Sequence, residues 1–441
     1  MDHFEYRDGE LCCQGVKVSE IAAEFGTPLY VYSRETLELH YDRLASAFAE
    51  LKPLICFSVK CCSNLRVLRA LSERGAGMDV VSGGELHRAR LAGVGPERIV
   101  FAGVGKTDEE IREALAGSGG PIRLFNIESE PEYEVVASAA RTMGVTAAAA
   151  LRVNPDVQAG GHAYISTGHK ASKFGVSIPH AYELLRKFNH EKHLKLTGVH
   201  VHIGSSILEP EPYVRALSSV LEMIDALERE GVRIETLDLG GGFGADYATG
   251  DAPPASAFAD AIVPLLRARV QRGLKIIMEP GRTIAANAGV LLTRVLFVKF
   301  GGGKKFVVCD AGMNTLLRPA LYEAFHFVWP ASVAPQHEPV RRAEKLDLPG
   351  LESCDVVGPV CESGDFLARD RSLPLMARGD LLAVFAAGAY GMSMASRYNS
   401  HPLPAEVMVE GNRVTLIRQR ETIGDLVAHE LRAEGTLGDR R

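Results

Sequence analysis

TLDLGGGFG (residues 236–244) and KIIMEPGR (residues 275–282) are two short apolar runs, each running out into glycine. Each has the length of a buried strand rather than of a helix. A helix-like segment separates them. Strand, helix and strand again make the repeating step of a parallel sheet. Working outward, six more runs of this kind precede them: Leu54–Lys60, Gly77–Ser82, Arg98–Gly103, Ile122–Ile127, Ala148–Val153 and Leu196–Gly204. With Thr236–Gly242 and Lys275–Gly281 they number eight. Eight strand–helix units predict an α/β fold of the (β/α)8, or TIM, barrel type, whose usual size is about 250 residues.

The intervening segments carry helix signals. NLRVLRALSERGA repeats apolar residues at helical spacing and ends in glycine. TDEEIREALAGSG opens on a threonine cap followed by acids. EPYVRALSSVLEMIDALEREG is long, amphipathic and glycine-terminated. From about Asn287 the rhythm changes. GVLLTRVLFVKF, KKFVVCDAG, DLLAVFAAGAY, AEVMVEG and RVTLIRQ read as strands joined by glycine or charged turns. The expected organisation is a barrel over 34–286 and a mostly-β domain over 287–441, joined by strands from 1–33. The polar tail, LRAEGTLGDRR, is expected to fray.

Composition narrows the function. The chain has 441 residues, 46% hydrophobic and 24% charged, with a net charge of −6. That balance gives no basic footprint for nucleic acid. No run of about 20 apolar residues offers a membrane span. The start, MDHFEYRDGE, is unlike a signal peptide, so a cytoplasmic protein is expected. Eight cysteines lack the paired spacing of a zinc site and read as reduced thiols, with no metal site expected.

In such barrels chemistry gathers where strands end. Lys60 ends the first run and Asp79 lies in the second. His200 and His202 end the sixth, glycines 240–242 the seventh, and Glu279, Gly281 and Arg282 the eighth. Each has a plain structural reading. Lys60 can be a snorkelling lysine, Asp79 a helix cap, His202 a satisfied core histidine, and Glu279 with Arg282 an ion pair. Their joint placement on one mouth favours chemistry. Glycines let backbone N–H groups approach an anion, and barrels often hold phosphate after strands seven and eight. Ser205 adds a hydroxyl. A lysine amine condenses with aldehydes. Phosphate, aldehyde and lysine together point to pyridoxal phosphate, with Glu279 as the carboxylate for its ring nitrogen.

The motifs RVNPDVQAGGHAYISTGHKASKFG, HVHIGSS, LGGGFG, EPGR, RPALYEAFH, CESGDFL and GAYGMSMASRYNSHPLPAEV run over nearly the whole chain. On them the chain resembles the fold-type III pyridoxal-phosphate decarboxylases, and among these the diaminopimelate decarboxylases. The resemblance implies a PLP-binding barrel with a mostly-β C-terminal domain, as in the alanine racemase and ornithine decarboxylase folds. It implies decarboxylation of meso-2,6-diaminopimelate to L-lysine and CO2, the last step of lysine biosynthesis.

By the same resemblance, Lys60 is the Schiff-base lysine, His202 stacks on the cofactor and Glu279 faces its pyridine nitrogen. Asp79, Ser205, Gly241, Gly242, Gly281 and Arg282 complete the cofactor's surroundings, with Tyr390 near phosphate and substrate. Arg282, Arg318 and Tyr322 contact substrate carboxylates. Cys361 is the catalytic acid and Glu362 binds substrate beside it. Both would reach the active site of a second copy, which implies a homodimer with shared sites. One stretch departs from the family, which usually reads Tyr-Ala-Val-Lys-Ala-Asn around the lysine. Here Phe57 and Ser58 precede Val59-Lys60, and Cys61 and Cys62 follow. The rival readings are a related decarboxylase acting on arginine, carboxynorspermidine or a carrier-bound amino acid, a racemase on the same fold, and a non-catalytic paralogue.

Overall fold

A computed structural model describes residues 2–117, 119–157 and 173–437. Most of the long motif beginning at Arg152 therefore lies outside the described residues. The chain divides into two compact units. One comprises Glu38–Ala245 and Ala252–Ile284, the other Met1–Leu37, Asp246–Asp251 and Ala285–Arg441.

The first unit holds eight parallel strands: β1 (Leu54–Ser58), β2 (Gly77–Val80), β3 (Ile99–Phe101), β4 (Leu124–Ile127), β5 (Ala147–Asn154), β6 (Leu194–Val201), β7 (Thr236–Asp238) and β8 (Lys275–Met278). Each pairs with the next, and β8 pairs with β1, so the sheet closes on itself. All eight expected strands are present. Closure removes both sheet edges, and side chains fill the interior. Cys56, Val100, Leu124, Ala150 and Ile277 form one buried layer there.

The helices start where the local signals place them. Asn64 caps Leu65–Glu73 by accepting from the Arg66 N–H. Thr107 and Glu110 form a reciprocal capping box on Asp108–Ala116. Ser82, not Asp79, caps Gly83–Leu91, which frees Asp79 for another task. The longest helix, Glu211–Arg229, buries Tyr213, Leu217, Val220, Ile224 and Leu227 on one face.

The second unit is mostly β. Its main sheet runs Phe366–Leu373, Glu352–Val357, Lys304–Cys309, Gly289–Gly301, Leu29–Ser33, Ala405–Glu410 and Arg413–Arg418. Leu381–Val384 also pairs with the long strand Gly289–Gly301, and with Val328–Pro330. Leu29–Ser33 pairs with Gly289–Gly301 on one side and Ala405–Glu410 on the other. A segment from the start of the chain thus lies in the middle of a sheet built from its end. Part of the polar tail departs from the expectation of fraying: the helix Ile423–Leu437 takes in its first residues, while residues 438–441 lie outside the described residues. Its composition, ELRAEGTL, contains enough helix formers to carry the last turns.

Candidate active site

Within the barrel unit, Lys60 departs slightly from expectation. The strand stops at Ser58, and Lys60 rides on a single 3-10 turn, Val59–Cys61, beyond it. That turn aims the amine across the strand ends, where Nζ lies 2.5 Å from Asp79 Oδ2. Ser58 Oγ lies 2.8 Å from the same carboxylate oxygen and 2.9 Å from the Glu279 carbonyl. The departure from the family pattern at position 58 therefore places a hydroxyl between the lysine's partner and β8. Asp79 is fully buried, and its Oδ1 has no hydrogen-bond partner among the described residues. The Lys60 side chain is one-third exposed. Glu85 sits near both, and burial pushes its carboxyl up to about 7.

His202 follows the end of β6. It is partly exposed, and the Gly241 N–H donates to its Nδ1 at 3.2 Å. That bond assigns the ring proton to Nε2. Its low-dielectric surroundings, with Arg152, Lys60 and His200 nearby, hold the imidazole neutral, well below its usual range. The glycine loop is held by backbone bonds: Glu279 N–H donates to the Gly240 carbonyl, and Ile207 N–H to that of Gly242. Tyr213 Oη donates to the Gly241 carbonyl at 2.8 Å. A Cβ on Gly241 would meet the Glu279 carbonyl oxygen at 2.2 Å, so this glycine is needed for close approach of the strands' ends. Arg282 is buried, and its guanidinium donates to Ser205 Oγ at 2.8 Å. The two expected anion-binding side chains are therefore neighbours.

Glu279 is buried with Asn126, His200 and Asp238. Asn126 Nδ2 donates to Glu279 Oε1 at 2.9 Å and to Asp238 Oδ2 at 3.0 Å. His200 Nε2 lies 3.3 Å from Glu279 Oε2. Burial, with the nearby Asp79 charge, pushes Glu279 up to about 8. Glu279 and Arg282 are thus built into different networks, not into a mutual ion pair. Sequence reasoning assigned no role to Asn126, Asp238, Glu85 or Ser58. One available signal was Asp238, a charge in an apolar strand directly before the glycine loop.

In the β-rich unit, Arg318 is buried at the start of the short helix Arg318–Tyr322. Its guanidinium lies over the rings of Tyr247, at 4.6 Å, and Tyr322, at 5.7 Å. His326 Nδ1 faces the Phe385 carbonyl at 2.9 Å, which leaves Nε2 to accept from Arg318 Nε at 3.4 Å. The His326 ring therefore orients the fork. Cys361 is the exposed one of the eight cysteines, all of which are free thiols. Its N–H donates to Asn399 Oδ1 at 2.7 Å. Glu362, also exposed, receives the Tyr398 hydroxyl at 3.4 Å. Asp365 pins this loop, accepting from Val360 N–H and Met313 N–H at 2.6 Å each. Tyr390 takes a left-handed backbone, φ 56°, which aromatic residues rarely adopt.

The sequence pattern of the pyridoxal-dependent decarboxylases, pyridoxal binding domain, matches residues 12–286. A diaminopimelate decarboxylase of Pseudomonas aeruginosa is 46% identical, over 98% of this chain and 99% of its own length. One from Neisseria meningitidis serogroup A is 45% identical, over 96% of this chain and 99% of its own. The chain belongs to the diaminopimelate decarboxylase family. A crystal structure of diaminopimelate decarboxylase from Helicobacter pylori, complexed with L-lysine, superposes with a TM-score of 0.86. It is 38% identical and covers 95% of this chain and all of that one. The diaminopimelate decarboxylase family uses pyridoxal phosphate, and the barrel's donor set fits that group. It supplies an amine for the aldehyde, an arginine and a hydroxyl beside a glycine loop for the phosphate, and a buried carboxylate for the ring nitrogen.

Proposed function

We propose that this chain decarboxylates meso-2,6-diaminopimelate to L-lysine and CO2 with pyridoxal phosphate, closing lysine biosynthesis. The observation that carries the reading is the Lys60–Asp79 pair at the strand ends, with the glycine loop, Arg282 and Glu279 on neighbouring strand ends. When bound, the cofactor takes up the electron pair that the departing CO2 leaves behind.

The chain's own residues divide the remaining work. Lys60 binds the cofactor through its amine, and Asp79 orients that amine. Gly241, Gly242, Gly281, Arg282 and Ser205 receive the phosphate. His202, held neutral, offers an uncharged ring face to the cofactor. Glu279 accepts from the ring nitrogen. Arg282, Arg318 and Tyr322 bind substrate carboxylates, Tyr390 lies by substrate and phosphate, and Glu362 takes the distal ammonium. The Arg318 fork suits a carboxylate. A substrate without a distal carboxylate would forgo that charge-assisted contact. Cys361 Sγ returns a proton to the substrate's α-carbon.

Cys361 and Glu362 serve the site of a second copy, so the working form is a homodimer. Their exposure supports this, since groups that complete another subunit's site must be accessible from outside. We place the enzyme in the cytoplasm: its eight cysteines are all free, and no helix among the described residues is long and apolar enough to cross a membrane.

The direct test is lysine formation by purified protein given pyridoxal phosphate and meso-diaminopimelate. Steady lysine production is expected. A protein that takes up the cofactor but makes no lysine would move the reading to a related amino-acid decarboxylase.

A further inference from the structure

Behind the expected ring-nitrogen partner, the barrel interior holds a cluster that the reaction as described does not use. His200 on β6, Asp238 on β7 and Glu279 beyond β8 are each at most 2% exposed. One ligand atom from each lies within 4.8 Å of the others. Asn126 on β4 sends its single amide nitrogen to both carboxyl groups. Gly240 N–H donates to Asp238 Oδ1 at 2.9 Å. A carboxylate oxygen of Asp238 and one of Glu279 thus lie within 4.8 Å of each other, close enough for two like charges to repel strongly in a buried site.

The charges around the cluster point the same way. The groups facing it are Lys60 from the turn after β1, Cys56 from β1, Asp79 from β2, Glu128 after β4 and Arg152 from β5. Lys60 is engaged by Asp79 at 2.5 Å, and Arg152 by Glu128 at 2.7 Å. Those two pairs balance. Asp238 and Glu279 remain as two further carboxyls with no further cation to balance them among these groups. His200 Nε2 lies 3.3 Å from Glu279 Oε2, but neither His200 nitrogen makes a hydrogen bond of good geometry among the described residues, so the contact does not itself require an imidazolium. Two ionised carboxylates at this range in a buried site are resolved by retaining one proton.

We infer that Asp238 and Glu279 share one proton, clamped by Asn126, and that Asp238 is a positioning residue. It keeps Glu279 a single oriented carboxylate for the cofactor's ring nitrogen. This deepens the functional reading and rests on its assignment of Glu279. Titration tendencies agree. Burial and the charge of the other carboxyl push Asp238 up to about 8, and burial pushes His200 down to about 4.

The test is infrared difference spectroscopy on cofactor-free protein across neutral pH, with Asp238→Asn and Glu279→Gln. Wild type should show the C=O stretch of a buried carboxylic acid, shifted in D2O. The band should be lost in both variants, because either amide supplies the donor and lets the remaining carboxyl ionise. Absence of the band in wild type overturns the proposal, as does its survival in both variants, which would assign it to Glu85 or another acid. A stoichiometric divalent metal in purified wild type that Asp238→Asn lacks would make the cluster a metal site and also overturn it. An imidazolium signal from His200 by nitrogen NMR at neutral pH would do the same. Failure of the functional reading is seen separately, as wild type that gives no absorbance change with pyridoxal phosphate. Asp238→Asn should still take up the cofactor, with a displaced pH dependence of its absorbance, a change that simple loss of packing would not produce.

Discussion

Lys60 Nζ lies 2.5 Å from Asp79 Oδ2, and the carboxylate has no exposed surface. A buried carboxylate at that distance favours the ammonium form and fixes where the amine points. Asp79→Asn removes the charge and keeps the shape. The neutral amine then becomes available at lower pH, so the pH profile of pyridoxal phosphate uptake should move to lower pH. Turnover should fall at least about tenfold, close to 1.4 kcal/mol. Uptake followed by absorbance in stopped flow reads the shift. A profile identical to wild type would show that the pair is structural only.

Gly241→Ala tests the loop. Gly241 does not need a left-handed backbone; it needs the space, because a Cβ would meet the Glu279 carbonyl at 2.2 Å. The backbone of β8 would have to move, taking Glu279 with it. The variant should lose about 2 kcal/mol or more of stability and bind cofactor more weakly. Urea denaturation and cofactor titration measure the two effects.

Arg318→Ala should raise KM for meso-diaminopimelate at least about tenfold, in line with loss of a charge-assisted bond. His326→Ala should reproduce part of that effect, since His326 Nε2 accepts from Arg318 Nε at 3.4 Å and orients the fork. Steady-state kinetics separate the two variants. An unchanged KM in Arg318→Ala would remove this contact from substrate recognition.

Cys361→Ala should keep the bound cofactor's absorbance and lose turnover by about a hundredfold or more, the usual scale for loss of an acid catalyst. Full activity would take Cys361 out of the mechanism. Mixing Cys361→Ala with Lys60→Ala protein should restore part of the activity if each site draws on two copies, and a mixture as inactive as its components would argue against shared sites.

The pH dependence of stability follows from the buried acids. Burial and mutual repulsion raise the Asp238–Glu279 pair as a unit, so it keeps its shared proton well above the unfolded carboxyl range, towards about 8. The native state therefore holds a proton that the unfolded chain has already released, and stability falls as pH rises towards 8. Below about 6.5 the effect is opposed, because His200 stays neutral down to about 4 while the unfolded chain's histidine takes up a proton. The window is thus from about pH 6.5 to 8; Glu85, itself pushed up to about 7, adds to the fall there, and Asp238→Asn isolates the pair's share. Cofactor-free protein should lose about 1–2 kcal/mol across it, and Asp238→Asn should flatten the slope. Urea midpoints at the two ends decide the matter; a rising midpoint would contradict the assignment.

The eight barrel strands, the capped helices and the strand-end positions of Lys60, Glu279 and Arg282 were legible in the sequence. Hydrophobic runs, caps and glycine stops act over a few residues, so the local chain encodes them. The partners of those residues were not legible. Asn126 meets Asp238 and Glu279 across 112 and 153 positions of chain, and only closure of β8 onto β1 brings those strands together. The central place of Leu29–Ser33 in the C-terminal sheet has the same origin, since strand pairing depends on register between distant segments. Sequence by itself determined which chemistry-bearing side chains stand at the ends of strands. Tertiary structure alone decided which share a proton, an oxygen or a ring face, because burial and distance set those interactions and neither is a local property of the chain.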